Sequence, residues 1–117
     1  MQSLAEKHDQ IDENICRIVS VCLDRVKQDY PDARIILYGS QAAGRADQYS
    51  DIDVIVLLPG SVSSPQKNSV HDLLYEIGLE NNVVISAFIR SEQQWEGSLS
   101  RASLLYKSVQ SEGILVK

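Results

Sequence analysis

Two aspartates and a glycine–serine pair have the types and spacing that could carry out chemistry in this chain. Asp51 and Asp53 lie two positions apart at the start of an apolar segment, ten residues after Gly39-Ser40. Residues two apart in a strand point to one face, so these carboxylates would repel each other and lose hydration. A hard cation between them offsets that cost, and paired oxygen ligands suit Mg²⁺ or Mn²⁺.

The glycine–serine pair predicts the other half of a site. Gly39 lets the backbone approach a ligand closely, and Ser40 opens a short helix whose first amides can bind phosphate. Taken singly, a Gly-Ser turn or an Asp-x-Asp strand end is common in proteins at positions that have no functional role. The two together, each beside an apolar strand, predict a site for a metal ion and a triphosphate.

The hydrophobic pattern predicts the elements that position these residues. Helices are predicted at Leu4–Tyr30, Gln66–Asn81, Ser91–Trp95 and Leu99–Glu112, with Gly113 as a left-handed cap. Strands are predicted at Arg34–Tyr38, Asp51–Leu58 and Val83–Ile89. This order predicts an α/β (α+β) fold, a small mixed sheet covered by helices, with residues 1–117 as a single domain.

Composition and net charge limit the classes of protein to which this chain can belong. The chain has 117 residues, of which 44% are hydrophobic, and a net charge of −5, which argues against direct binding of a nucleic-acid backbone. It shows no signal-peptide pattern and no apolar run of membrane-spanning length, so a cytoplasmic protein without a membrane partner is expected. Cys16 and Cys22 lie six helical residues apart, about 9 Å, too far for a disulfide, and are interpreted as buried thiols.

These motifs resemble those of the minimal nucleotidyltransferases of the DNA polymerase β-like superfamily. That family places Gly-Ser after a strand and Asp-x-Asp on the next strand about ten residues later, as Gly39, Ser40, Asp51 and Asp53 do here. The order of elements is similar over nearly the whole chain. The resemblance implies a polymerase β-like palm fold and transfer of a nucleoside monophosphate, AMP from ATP, to a hydroxyl of a protein or small molecule.

The resemblance also implies roles for individual residues. Asp51 and Asp53 would be the catalytic metal ligands, and Gly39 and Ser40 would hold the NTP phosphates. Arg45 is the one arginine near the phosphate loop, and it would contact either a phosphate, Asp47 or solvent. Tyr38 would pack beside the nucleotide or serve only as a strand-end residue.

Relatives of this kind commonly act as antitoxins that add AMP to a separately encoded helical HEPN-type toxin, so such a partner is expected. The acidic charge suits a basic partner. A homodimer through the first helix is a second interpretation of its apolar stripe, beside simple coverage of the sheet.

One departure from the family pattern leads to an alternative function. The family supplies a third carboxylate from the following strand, whereas Val83–Ile89 contains no acid. Ser86, Glu80 and Glu92 are the candidates for its replacement. The alternative is therefore a catalytically weak or inactive member that acts as a nucleotide-binding or protein-binding subunit.

Overall fold

The chain folds into a five-stranded mixed sheet with helices on both faces, in a computed structural model that describes residues 1–44 and 51–116. The strands are β1 (Gln2–Ser3), β2 (Arg34–Tyr38), β3 (Ile52–Leu58), β4 (Ile85–Ser91) and β5 (Ile114–Leu115). The helices are α1 (Leu4–Lys7), α2 (Glu13–Asp29), α3 (Gly39–Ala43), α4 (Ser64–Asn81), α5 (Glu92–Trp95), α6 (Ser98–Arg101) and α7 (Leu104–Glu112). The predicted fold class is confirmed, while the assignment of a single domain stays a prediction.

The strand order is β1-β5-β2-β3-β4, which makes β3 an interior strand and β4 an edge. β2 runs antiparallel to β3, and β4 runs parallel to it. Val54–Leu58 of β3 is buried throughout, as expected for a strand covered on both faces. At the start of β3, Ile52 pairs with β4 alone, whereas Asp53 pairs with both β2 and β4.

Alternation along the strands divides the core between the two faces of the sheet. On one face, α2 and α4 pack against alternate residues of the sheet such as Ile35 and Val54. On the other face, Trp95 of α5 and Val109 of α7 pack against Ile55 and its neighbours. Asp53 lies two residues before Ile55 and therefore belongs to this second face.

The predicted first helix, Leu4–Tyr30, is wrong as a single element. It is divided into α1, a 3₁₀ turn at His8–Gln10 and α2. The division occurs because the side chain of Asp12 accepts hydrogen bonds from the backbone N–H groups of Asn14 and Ile15, which begins a new helix. Ile11 remains buried at the break, so the apolar periodicity continues through it.

Several predicted boundaries also move. The predicted strand Val83–Ile89 is displaced by two residues to β4, and β3 begins one residue after Asp51. The predicted helix Leu99–Glu112 is divided into α6 and α7, because the Ser103 hydroxyl caps the second helix by accepting from the N–H of Tyr106.

The predicted left-handed cap at Gly113 is wrong, because this residue is extended, with φ −69° and ψ 153°. Its N–H donates to the carbonyl of Val109 at 2.7 Å, and a Cβ would collide with that same oxygen. Glycine is therefore required at position 113 by the close packing at the start of β5, and not by a positive φ.

Both cysteines are free thiols, and the predicted burial is confirmed for Cys22 but is wrong for Cys16. Burial raises the pKa of Cys22 to about 12, and it also raises the pKa of Cys16, which is half-buried on α2. Within the described part of the chain, no helix is both long and apolar enough to cross a membrane.

Candidate active site

The glycine after β2 is pressed against the aspartate of β3. The antiparallel register places Tyr38 opposite Asp53, so Gly39 begins the next turn beside that carboxylate. Gly39 has φ +74°, and a Cβ at this position would lie 2.6 Å from Oδ2 of Asp53. A side chain is therefore excluded here by backbone conformation and by space.

The short helix α3 follows directly from this turn. Its N-cap residue, Tyr38, provides no side-chain hydrogen bond to the first turn, and Gly44 ends the helix in the left-handed conformation with φ 71°. The backbone amides of Gly39 and Ser40 therefore open α3 next to Asp53. Ser40 is half-buried, so its hydroxyl stands at the edge of the same turn.

The two carboxylates lie at the start of β3, close enough for the charge of Asp51 to act on Asp53. Asp53 is the second residue of β3 and is half-buried, while Asp51 is exposed just before the strand. The N–H of Ile52, between them, donates to the carbonyl of Val84 at 2.9 Å, which fixes the backbone of the pair. Burial raises the pKa of Asp53, and the neighbouring charge of Asp51 raises it further.

Tyr38 forms one wall beside Asp53. Its phenol is half-buried on the same face, and its pKa is raised by burial first and by the charge of Asp53 second. The sequence had indicated Tyr38 only as a strand-end residue that could flank a nucleotide. The strand register gives a stronger reason, because it places Tyr38 directly opposite the carboxylate.

Ser86 lies beside Asp53 on the other side. Parallel pairing of β3 with β4 puts Asp53 opposite Ser86, which is exposed on the edge strand. Glu92 lies at the far end of β4, where it forms an ion pair with Arg34. Glu80 lies on α4, which covers the opposite face. Of the three candidates for a replacement acid, only Ser86 stands next to Asp53.

Asp51 and Asp53 fit a divalent cation. They lie close enough for their charges to interact, and burial together with the charge of Asp51 penalises the ionised form of Asp53. No ion pair joins either aspartate to a basic side chain within residues 1–44 and 51–116. A hard cation supplies the missing positive charge. In the same part of the chain, no group of three His, Cys, Asp or Glu side chains is placed to hold a metal.

Arg45 was the third residue predicted to contact the nucleotide, and it lies outside the described residues, as does Asp47, its alternative partner. The structure therefore brings together four of the five predicted site residues, which are Gly39, Ser40, Asp51 and Asp53.

Comparison with known proteins gives two findings. A family model described as "Nucleotidyltransferase domain" matches residues 19–112, a range that contains every predicted site residue. The fold is also similar to the crystal structure of a protein from Sulfolobus solfataricus, described provisionally as a nucleotidyltransferase. That similarity has a TM-score of 0.58 at 12% identity and covers 87% of this chain and 78% of the other. A search of the curated proteins finds no significant match.

Proposed function

We propose that this chain, which belongs to the nucleotidyltransferase domain family, is a Mg²⁺-dependent enzyme. Its proposed reaction is the transfer of AMP from ATP to a hydroxyl of a protein or small-molecule acceptor. The family membership confirms the resemblance found in the sequence and supports nucleotidyl transfer as the general reaction. The nucleotide, the metal and the acceptor are the proposed part.

The close approach of Gly39 to Asp53 carries the proposal. A Cβ at Gly39 would lie 2.6 Å from Oδ2 of Asp53, so the turn that would bind phosphates and the carboxylate that would bind a cation form one site. An NTP with its divalent cation has the same arrangement of charges, with the cation beside the phosphate oxygens. The structure thus supports a single site for metal and triphosphate.

The chemistry assigned to each residue follows from this placement. Asp51 and Asp53 would hold the divalent cation, which when bound neutralises charge on the α-phosphate and on the departing pyrophosphate. The amides of Gly39 and Ser40 would orient the β- and γ-phosphates. The acceptor oxygen then bonds to the α-phosphorus as the bond to the β-phosphate oxygen breaks. The hydroxyl proton passes to solvent, and pyrophosphate leaves with the bonding electrons.

The acceptor is proposed to be a hydroxyl of a separately encoded protein, with a tyrosine of a HEPN-type toxin as the specific form. The net charge of −5 supports a basic protein partner, because opposite charge speeds encounter and favours correct pairing.

One observation favours a second candidate function. Ser86 stands beside Asp53 where a further carboxylate would complete a cation site, and a serine hydroxyl brings no negative charge. This favours a weakly active or inactive member that binds nucleotide, or a partner protein, without efficient transfer.

Transfer of label from ATP distinguishes these functions. With Mg²⁺ and the protein encoded by the neighbouring gene as acceptor, α-labelled ATP is expected to label the acceptor, whereas γ-labelled ATP is not. Asp51→Asn should reduce labelling by at least about tenfold, because it removes one of two cation ligands. Equal labelling by the wild type and Asp51→Asn would contradict transfer at this site, and nucleotide binding without labelling would favour the second function.

Ser86→Asp is expected to raise the affinity for Mn²⁺ by about tenfold or more, since a third carboxylate would then face Asp53 and Asp51. Isothermal titration of the nucleotide-free protein with Mn²⁺ measures this directly. Ser86→Asn is the matched control, because it has nearly the same size without the charge. Equal affinity in the two variants would show that position 86 does not face the bound cation.

A further inference from the structure

A cavity of about 470 Å³ lies at the opposite end of β4 from Ser86, and its lining has the character of an anion site. Two cations, Lys67 and Arg90, reach it from α4 and β4. Its polar groups include Gln94, Ser98 and Ser100, and the apolar side chain of Leu99 stands at its wall with 91% of its surface exposed.

No carboxylate among residues 1–44 and 51–116 neutralises the two cations of this cavity. No acidic residue lines the cavity, and in the described ranges neither Lys67 nor Arg90 forms an ion pair with a carboxylate. This is unusual in a chain with a net charge of −5. Both side chains are half-buried, so their charges are less screened than on an open surface. An anion in the cavity would relieve their repulsion.

Arg90 is also fixed in place before any ligand arrives. Its guanidinium carbon lies 3.9 Å from the centre of the Phe88 ring, a distance typical of a cation–π contact. A stacked guanidinium keeps its N–H donors free to bind an oxyanion in a fixed geometry, which lowers the entropic cost of binding.

The cavity lies on the acceptor side of the candidate active site. Ser86, Phe88 and Arg90 alternate along β4, so they share the face that carries Asp53, and Arg90 lies four positions after Ser86, or roughly 13 Å along the strand. The turn at Gly39 occupies the β2 side of Asp53. The β4 side of Asp53 is therefore the side from which an acceptor can approach, and β4 is the open edge of the sheet.

We propose that this cavity binds an oxyanion, a phosphate or a carboxylate, carried by the acceptor whose hydroxyl is modified near Asp53, toward the other end of β4. Lys67 and Arg90 bind the anion, the hydroxyls of Ser98 and Ser100 donate to it, and Leu99 contacts an apolar part of the same acceptor. The role of the anion as part of an acceptor rests on the proposed function, whereas the anion site itself does not.

The test uses inorganic phosphate and acetate as separate probes for the two oxyanions. Each is titrated into ¹⁵N-labelled protein at constant ionic strength, with chloride as the background anion. We expect shifts of the amide signals of Gln94, Ser98 and Ser100. The double variant Lys67→Gln/Arg90→Gln should bind the preferred probe at least about tenfold more weakly, because charge-assisted hydrogen bonds are lost. Lys27→Gln is the control, since it removes one exposed charge from α2 on the other face.

A second titration distinguishes the acceptor from the nucleotide as the source of the anion. The double variant should bind a non-hydrolysable ATP analogue with Mg²⁺ as tightly as the wild type does. A loss of analogue affinity would overturn the assignment, because the cavity would then hold the nucleotide's own phosphates. Absence of a response to either probe, or equal responses in the wild type and the double variant, would overturn the anion site. A wild type that binds phosphate in the cavity but no analogue would contradict the proposed function while supporting the anion site.

Discussion

Asp53→Asn is expected to reduce nucleotidyl transfer by more than about a hundredfold. Loss of a group that merely supports a metal ligand costs about 10- to 100-fold, and Asp53 is proposed as a ligand itself. The asparagine keeps the size and one oxygen but removes the charge that attracts the cation. Initial rates of transfer from α-labelled ATP at saturating Mg²⁺ measure the loss.

The same substitution is expected to stabilise the fold at neutral pH. Burial and the charge of Asp51 raise the pKa of Asp53 above its ordinary value of 3.8, so the folded state favours the protonated form. The stability from this preference is fully present below pH 3.8 and is lost as the pH rises through the raised pKa. At pH 7 the wild type therefore carries the cost of an ionised Asp53, and Asp53→Asn does not.

Thermal unfolding measures this effect without any substrate. At pH 7, without divalent cations, the melting temperature of Asp53→Asn should exceed that of the wild type, and the difference should shrink as the pH falls toward 3.8. Added Mg²⁺ should raise the melting temperature of the wild type more than that of the variant. Asp72→Asn, at an exposed position on α4, is the control. A variant that melts below the wild type at pH 7 would contradict the electrostatic account.

Gly39→Ala is expected to lower both stability and activity. The left-handed conformation at φ +74° costs an alanine roughly 1–2 kcal/mol, and its Cβ would lie 2.6 Å from Oδ2 of Asp53. The carboxylate or the turn must therefore move. Because a displacement of about 1 Å near the reacting atoms can cost about a hundredfold in rate, we expect a loss of that order in transfer.

Gly60→Ala separates the two causes. Gly60 also has a positive φ, +69°, but nothing lies within 4 Å of its added Cβ. In denaturant unfolding, backbone strain should lower the free energy of unfolding by a similar amount in both variants, and Gly39→Ala should lose more because of its contact with Asp53. Gly60→Ala should keep the transfer rate of the wild type. If the two variants lost equal activity, the contact between the turn and the carboxylate would not be the feature on which catalysis depends.

The elements that hold the site were largely predictable from local sequence. The segment Arg34–Tyr38 is a strand as predicted, because apolar β-branched residues between Pro31 and Gly39 leave few alternatives. The short helix at Ser91–Trp95 was also predicted, and the hydroxyl of Ser91 caps it by accepting from the N–H of Gln94 at 3.1 Å. Here the local chemistry and the tertiary structure agree.

The parts that were not predicted depend on distant contacts or on competing caps. β1 and β5 are two residues each, and they exist because Gln2 and Ser3 pair with residues more than a hundred positions later. No local pattern encodes such a pairing. The first helix was predicted too long because its apolar period continues past Asp12, although that side chain caps a new helix.

The candidate site shows the same division. The motif of Gly39 and the two aspartates was visible in the sequence, but the neighbour of Asp53 on β4 was not, because a shift of one residue in register would have placed a different side chain there. Ser86 acquires its position from that register alone. Lys67 is half-buried and lines a cavity with Arg90, an arrangement that only the tertiary structure creates.

The alternation along β3 has an evolutionary consequence. Val54 packs beneath α2 and α4, whereas Asp53, one residue earlier, faces the other side of the sheet. Substitutions that alter the core and substitutions that alter the candidate site therefore fall on different side chains of one strand. Ser86 is exposed on the edge strand, so exchange between an acid and a serine at that position leaves the core untouched. A lineage with this architecture can lose, weaken or regain catalysis over time while its fold persists.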